Sequence, residues 1–314
     1  MSTVLVTGAS GMLGANAVHL LARAHEVVAV SGSSAGSVAG HRLIAADLAA
    51  PGVADALLAE HRPDLVLHCA ALTDVDACER DPDAAYALNA AAAAQLAAAT
   101  HALGARFVQI STDAVYDGER TGEHAEDEPP RPANVYAESK LAGEQAVLEA
   151  HPEALVLRTT MHGWTPAGRR SFSESILRGL VRGDRLTLFA DVRFSPLVVT
   201  DHAALIKRLA GHGGVLNLGA ADSVTKEEFG RIVAREFELS DAPIAGVSLA
   251  SIGLSAARPR NTALDVTRLA HALGEPPPSV ADGVRALRAG MVAAGTLKGR
   301  DGTSLAALVE DGAS

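Results

Sequence analysis

The amino-acid sequence predicts an α/β protein built on a doubly wound parallel sheet, and three observations predict it. Short apolar runs alternate along the first half of the chain with longer stretches of helical period. Those runs are nearly continuous in apolar residues, as strands covered by helices on both faces must be. The segment Gly8-Ala-Ser-Gly11-Met-Leu-Gly14 follows the first run and opens the first helical stretch, so it lies between a strand and a helix.

Val4-Leu5-Val6 is the first strand, and Met12 to Ala24 the first helix. His25 to Val30 reads as the second strand, and Leu43-Ile44-Ala45 as the third, ending near Asp47. Pro51 to Glu60 is a helix with proline near its first turn. Leu65 to Cys69 is the fourth strand, and Asp83 to Leu103 a long alanine-rich helix. Arg106 to Ile110 is the fifth strand and leads into Ser111-Thr112-Asp113. Thr121 to Asn134 is polar, carries Pro129, Pro130 and Pro132, and reads as a loop. A helix from Val135 to Glu149 and a strand from Leu155 to Arg158 follow. Beyond residue 160 the pattern loosens to a helix from Ser171 to Arg182 and a strand from Val215 to Leu218. Thr225-Lys-Glu-Glu228 is a capping box opening a helix to about Phe237, and Arg258-Pro259 and Pro276 to Pro278 punctuate the end. The expected division is a Rossmann-type domain over 1–160, a smaller region over 161–294 that returns one strand to the sheet, and a tail over 295–314.

Composition narrows the function classes. At 48% hydrophobic residues, the 314-residue chain can bury a core. A net charge of −10 argues against a nucleic-acid binder. Cys69 and Cys78 match no metal-ligand spacing and read as free thiols of a reducing compartment. The uncharged stretch from Thr3 to Ala22 is interrupted by three glycines, an asparagine and a histidine, so it reads as strand, turn and helix rather than a signal or membrane span. A soluble cytoplasmic protein is the expectation.

The glycine turn suits a dinucleotide. Gly8 permits the tight turn, Gly11 the approach of backbone to a pyrophosphate, and Gly14 close packing of helix on strand. Ser10, Met12 and Leu13 complete the turn, and the helix N-terminus behind it offers free N–H groups. The second strand ends in Ser31-Gly-Ser33-Ser34, with no carboxylate to accept the ribose hydroxyls of NAD. Small hydroxylated residues accommodate a 2′-phosphate, so NADPH is the expected cofactor, with NADH as an alternative. Asp47 is placed either to accept from the adenine amino group or to cap the helix near Pro51.

Tyr136 and Lys140 are four apart on one expected helix and share a face. A tyrosine titrates near ~10, and a neighbouring ammonium would lower that value. Tyr136 could then give a proton to a carbonyl oxygen as hydride reaches the carbon. Lys140 could also hold the nicotinamide ribose, and Thr112 is placed to hydrogen-bond the same substrate oxygen.

With these motifs the chain resembles the extended short-chain dehydrogenase/reductases, and within them is most similar to the dTDP-4-dehydrorhamnose reductase group. The resemblance rests on Gly8 to Gly14, on Cys69-Ala-Ala-Leu-Thr-Asp-Val-Asp76 with Asn89 beyond it, on Ser111 to Gly118, and on Tyr136 to Glu144. It implies a catalytic triad of Thr112, Tyr136 and Lys140. It implies that Leu48, Cys69, Ala70, Ala71, Asn89 and Ser111 lie along the cofactor, and that Thr73, Val75 and the region from Met161 face a nucleotide sugar. Two departures stand out. Arg158-Thr-Thr-Met161-His162 lacks the tryptophan these reductases show there, and Trp164 comes three residues later. Asn16 stands where some of them carry a glutamate for an interface metal, so no metal is expected. Ala114 follows Asp113 where dehydratase chemistry needs an acid.

On the substrate side, Arg193 and Arg258 are candidates to hold a diphosphate, or else to make ion pairs. Asp113 either tunes the site or bonds the loop. His162, a lone loop histidine, is more in keeping with a structural role. The resulting expectation is an NAD(P)H-dependent reductase of a nucleotide-linked 4-keto-6-deoxysugar, with Tyr136 as proton donor and a possible homodimer. The alternatives are another reductase or an epimerase of the superfamily, and a non-catalytic, cofactor-bound regulatory subunit.

Overall fold

The apolar runs pair as the alternation requires. In the computed structural model, which describes residues 1–32, 36–165, 171–253 and 256–293, the first half comprises β1 (Thr3–Thr7), α1 (Met12–Leu21), β2 (Glu26–Ser31), β3 (Ser37–Val38), β4 (His41–Ala45), α2 (Val53–His61), β5 (Leu65–His68), α3 (Val75–Arg80), α4 (Pro82–Tyr86), α5 (Ala93–Leu103) and β6 (Arg106–Ile110). Then come α6 (Val135–Ala150), β7 (Leu155–Thr159), β8 (Met161–His162), α7 (Phe172–Arg182), β9 (Leu186–Phe189), β10 (Arg193–Phe194), β11 (Leu197–Val198), α8 (Val199–Leu209), β12 (Gly214–Leu218), β13 (Val224–Thr225), α9 (Lys226–Glu236), β14 (Ile244–Val247), α10 (Thr267–Leu273) and α11 (Val280–Ala293).

The main sheet has the order β12-β7-β6-β5-β1-β2-β4-β3. Its pairs are parallel except β3 with β4. From β1 the chain winds outward one way through β2 and β4 and the other way through β5, β6, β7 and β12. The reversal between β1 and β5 opens a crevice at the carboxyl ends of the strands. β12, from the second half, pairs with β7 at the edge of the sheet.

Each face of the sheet buries its own core. Val4 and Val6 of β1 join Leu13, Val18 and Leu21 of α1 and Ile206 and Leu209 of α8 on one side. Leu5, alternating to the other side, joins Leu57 of α2, Leu96 of α5 and Val147 of α6.

Several elements differ from expectation for local reasons. Between α4 and α5 the backbone takes a π-helical turn over Ala87–Ala92. Composition does not announce it, because alanine suits any helix; its occasion is Asn89, discussed below. α2 begins at Val53, with Gly52 in left-handed conformation as its cap. Asp47 therefore does not cap it, and its Oδ1 instead accepts from the N–H of Ala49 at 3.0 Å. α8 was not legible because Val198 before it supplies no side-chain cap and its core-facing stripe includes His202. α11 was hidden behind the proline run at 276–278. The capping box of Thr225 and Glu228 forms at α9, and a second, Ser171 with Glu174, opens α7. Ser33 and the tail over 295–314 lie outside the described residues.

Candidate active site

At the β1–β5 reversal the glycine turn is a cradle without room for side chains. Gly8 has φ +62, and a Cβ there would lie 2.8 Å from the Ala70 nitrogen at the end of β5. A Cβ at Gly14 would lie 2.2 Å from the Gly8 carbonyl oxygen, and one at Gly11 3.2 Å from it. α1 then begins at Met12 with no side-chain cap and no acidic residue in its first turn. Its first N–H groups, Met12 and Leu13 among them, face the turn unspent, and such a terminus attracts phosphate. These residues fit a dinucleotide pyrophosphate. Ser10 is partly exposed beside them, Ser31 is buried at the end of β2, Leu48 is buried, and Asp47 is exposed beyond β4 at the same end of the sheet.

The loop after β5 is held from behind. Thr7 Oγ1 accepts from the Ala70 N–H and bonds His68 Nδ1 at 2.8 Å. Asn89 Oδ1 accepts from the Leu72 N–H, while its Nδ2 donates to the Leu72 carbonyl and to Ser139 Oγ of α6. The π turn aims this amide at the loop, and Gly143 lets α6 come close enough, since a Cβ there would meet the Asn89 oxygen at 2.1 Å. Asn89 thus ties the loop to α6 at Leu72, with one amide hydrogen on the Leu72 carbonyl and the other on Ser139. The Cys69 thiol is pushed up by burial to about 12.

Tyr136 and Lys140, one turn apart on α6, lie against the end of β6, Tyr136 beside Thr112 and Lys140 on Ile110. Asn134 caps α6 by accepting from the Ala137 N–H and donates to the Ala257 carbonyl, so the helix that carries Tyr136 is tied to the second half of the chain. Lys140, buried, donates from Nζ to the Ile110 carbonyl at 2.7 Å. Burial lowers its pKa to about 8, against the pull of Glu144. Tyr136 is half-buried, and burial pushes it up to about 12; a hydrogen bond from Thr112 opposes this and the charge of Asp113 adds to it. The expected lowering of Tyr136 by Lys140 is therefore not what the structure shows. The charge of Lys140 is felt at His68 and Cys69 instead. Ser111 also differs from the role implied for it: its hydroxyl donates to Glu144 Oε1 in the core rather than facing the crevice.

On the substrate side, Thr73 is exposed and Val75 half-buried at the start of α3, where Asp74 caps the helix. Arg258 reaches Asp76 of α3 at 3.4 Å, and its buried Nη1 finds no acceptor among the described residues. Arg193 turns away, donating to the Ser223 carbonyl and pairing with Glu228. Met161 is half-buried. His162 is fully buried, edge-on to Phe229, with neither ring nitrogen bonded, and burial holds it down at about 3. That is a core residue, not an acid–base group. Asn16 donates to the Met12 and Trp164 carbonyls. Among the described residues no cluster of three or more His, Cys, Asp or Glu could hold a metal ion.

Two residues that act on Asp113 escaped sequence reading. Thr262 Oγ1 donates to Asp113 Oδ2 at 2.6 Å. Lys226, the first residue of α9, places its ammonium 3.2 Å from the centre of the Phe194 ring and 5.0 Å from that of Phe172. Neither lies in a local pattern; both arrive through the pairing of β10 with β13 and the return of the chain past Arg260.

Comparison with known proteins gives the family. The chain is 34% identical over 290 residues to the probable low-salt glycan biosynthesis reductase Agl14 of Haloferax volcanii, covering 90% of this chain and 96% of that protein. It is 32% identical over 290 residues to the dTDP-4-dehydrorhamnose reductase of Burkholderia thailandensis, covering 86% and 93%. Among solved structures, the dTDP-4-dehydrorhamnose reductase of Bacillus anthracis in complex with NADP superposes with a TM-score of 0.82 at 27% identity, over 92% of this chain and 99% of that one. The model of the RmlD substrate binding domain matches residues 1–291, and the chain belongs to that family, within the extended short-chain dehydrogenase/reductases.

Proposed function

We propose that the chain is an NADPH-dependent reductase acting on the 4-keto carbon of a nucleotide-linked 6-deoxysugar. The observation that carries this is the seating of Tyr136 and Lys140 of α6 against the end of β6, beside Thr112, in a chain with a glycine cradle at the sheet reversal and relatives named as reductases. The relative of known structure holds NADP. Bound here, a reduced nicotinamide supplies the hydride; the chain's own residues do the rest.

The turn from Gly8 to Gly14 and the N-terminus of α1 would hold the pyrophosphate. Ser31, with no carboxylate beside it in the sequence, leaves the adenosine ribose free to carry a phosphate. Lys140 would hold the nicotinamide ribose from its place on the Ile110 carbonyl. Tyr136, raised to about 12, keeps its proton at neutral pH and so presents the acid form that reduction consumes. As the carbonyl carbon accepts hydride, its oxygen takes the phenolic proton: the O–H bond of Tyr136 breaks and that of the product hydroxyl forms. Thr112, whose one hydroxyl proton goes to Asp113 Oδ1 in the free protein, would turn it to the same substrate oxygen. Thr73, Val75 and Met161 would line the way to the nucleotide sugar, and Arg258 would meet its diphosphate, since its buried Nη1 has no acceptor among the described residues whereas Arg193 is spent on the Ser223 carbonyl and Glu228.

The test is NADPH oxidation by the purified protein with a dTDP-4-keto-6-deoxy sugar, beside Tyr136→Phe. Turnover that collapses in the variant supports the reading. Cofactor binding without turnover of any nucleotide sugar defeats it in favour of another carbonyl substrate or of a regulatory subunit.

A further inference from the structure

Behind Thr112 lies a cluster that the proton transfer does not use. Asp113 is buried, with Oδ2 accepting from Thr262 at 2.6 Å and Oδ1 from Thr112 at 3.3 Å. Thr262 is fixed in turn by its N–H on the Arg193 carbonyl at 2.9 Å. Phe194, next in the chain, pairs with Val224 across β10 and β13, which brings the start of α9 over its ring. Lys226 therefore stands on the face of Phe194, with Phe172 beside it and Asp113 as the charge it answers to.

This arrangement leaves hydrogen-bonding capacity unspent. An ammonium carries three donors, and ring faces engage its charge without accepting a directed N–H bond from each. A carboxylate has about four acceptor positions, of which the two threonines take two. A donor-rich cation and a carboxylate with acceptors to spare are thus held beside the residue that touches the reacting oxygen. The ligand that satisfies both must donate and accept at one atom. A hydroxyl does this. A phosphate or carboxylate does not, because Asp113 would repel it while Lys226 attracted it.

We propose that Lys226 and Asp113 together bind a ring hydroxyl of the sugar beside the carbon that is reduced, which makes Lys226 a specificity-determining residue. The proposal rests on the reductase reading above. It divides the substrate between two stations: Arg258, paired with Asp76, for the diphosphate, and Lys226 with Asp113 for the hexose.

Calorimetric titration of the NADP⁺-loaded protein with dTDP and with dTDP-glucose tests it. In Lys226→Met the affinity for dTDP-glucose should fall about 10- to 100-fold, the cost of a hydrogen bond to a charged group. The affinity for dTDP should stay within about twofold, as expected when the diphosphate contacts are untouched. Lys226→Gln, which keeps an N–H donor one bond shorter and without the charge, should recover part of the loss. A parallel fall for both nucleotides would mean that Lys226 reads the diphosphate, and no change for either would mean that it reads nothing; both results overturn the proposal. Wild-type protein that binds neither nucleotide overturns the reductase reading and this inference with it, whereas wild-type turnover with an unaltered Lys226→Met sinks the inference alone.

Discussion

The glycines of the turn differ in what a methyl group would meet, and this grades their substitution. At Gly14 an added Cβ lies 2.2 Å from the carbonyl oxygen of Gly8, which is backbone and cannot swing aside. At Gly11 the same oxygen is 3.2 Å away, and a small shift relieves it. Gly14→Ala should therefore weaken NADPH binding at least tenfold in a fluorescence titration, a cost of about 1.4 kcal/mol or more. Gly11→Ala should weaken it less; equal losses would show that the cradle yields where the geometry says it is stiff. Tyr136→Phe deletes the proton donor and little else. With substrate, kcat should drop about 10²- to 10⁴-fold, the range general acids supply, while KM and NADPH affinity stay near their wild-type values. A variant retaining more than a tenth of wild-type kcat would remove Tyr136 from the proton transfer. These residues were readable because each acts within its own segment: three glycines in one turn, two side chains one helical turn apart. The strength of Tyr136 as an acid was not readable, since burial and the neighbouring charge of Asp113 come from elsewhere in the fold.

At the scale of elements, α6 carries the tyrosine and lysine, so whatever seats α6 seats the chemistry. One turn beyond Lys140, Glu144 meets Arg158 of β7 through Oε2 at 2.8 Å, and both are almost wholly buried. The same carboxylate accepts from Ser111, the residue before Thr112, at 2.5 Å. Arg158 goes on to the Tyr116 hydroxyl at 2.9 Å, and Tyr116 donates to the Ala125 carbonyl. A single network thus joins α6, the end of β6, β7 and the loop before α6. Removing one charge from such a pair strands the other. Glu144→Gln should cost about 3–5 kcal/mol of unfolding free energy in urea titration at unchanged m-value. A loss under about 1 kcal/mol would mean that Arg158 finds another partner or water. Glu144 and Arg158 were both visible in the sequence, one in a family-like run and the other at the end of a strand, but not as partners. Pairing of side chains 14 residues apart, on a helix and a buried strand, leaves no periodic trace. The same limit hid Lys226, Thr262, the π turn and the short strands outside the parallel sheet, whereas the parallel strands of the main sheet, the glycine turn and the Thr225 capping box were legible because their signals are local.

The whole molecule carries its histidines asymmetrically, and this sets its response to acid. His68, His162 and His202 are buried, and burial holds them at about 3, about 3 and about 4, from an ordinary value of 6.5. Lys140 adds its repulsion at His68, and His202 adds its own at His162. The folded state therefore binds fewer protons than the unfolded chain between pH 6.5 and the folded values. Their contribution to stability is whole above pH 6.5 and is lost progressively as the pH falls toward 3 to 4. With all three sites titrating, the slope approaches about 4 kcal/mol per pH unit. His68 has Thr7 as a partner and His202 has Thr159 and the Val198 carbonyl. His162 has none among the described residues, and an aromatic ring already packs against its edge. An apolar ring in its place removes both an unsatisfied polar group and a proton sink. His162→Phe should be at least as stable as wild type at pH 7.5, and its advantage should widen by about 2 kcal/mol on going to pH 5, which follows from one site with an unfolded value of 6.5. Chemical denaturation at the two pH values measures this directly. An advantage that does not grow with acid would place His162 in water or on a partner in the folded state. α11 packs on this site through Gly283, whose added Cβ would lie 3.2 Å from His162 Nε2, so the larger ring must be seated without displacing that helix.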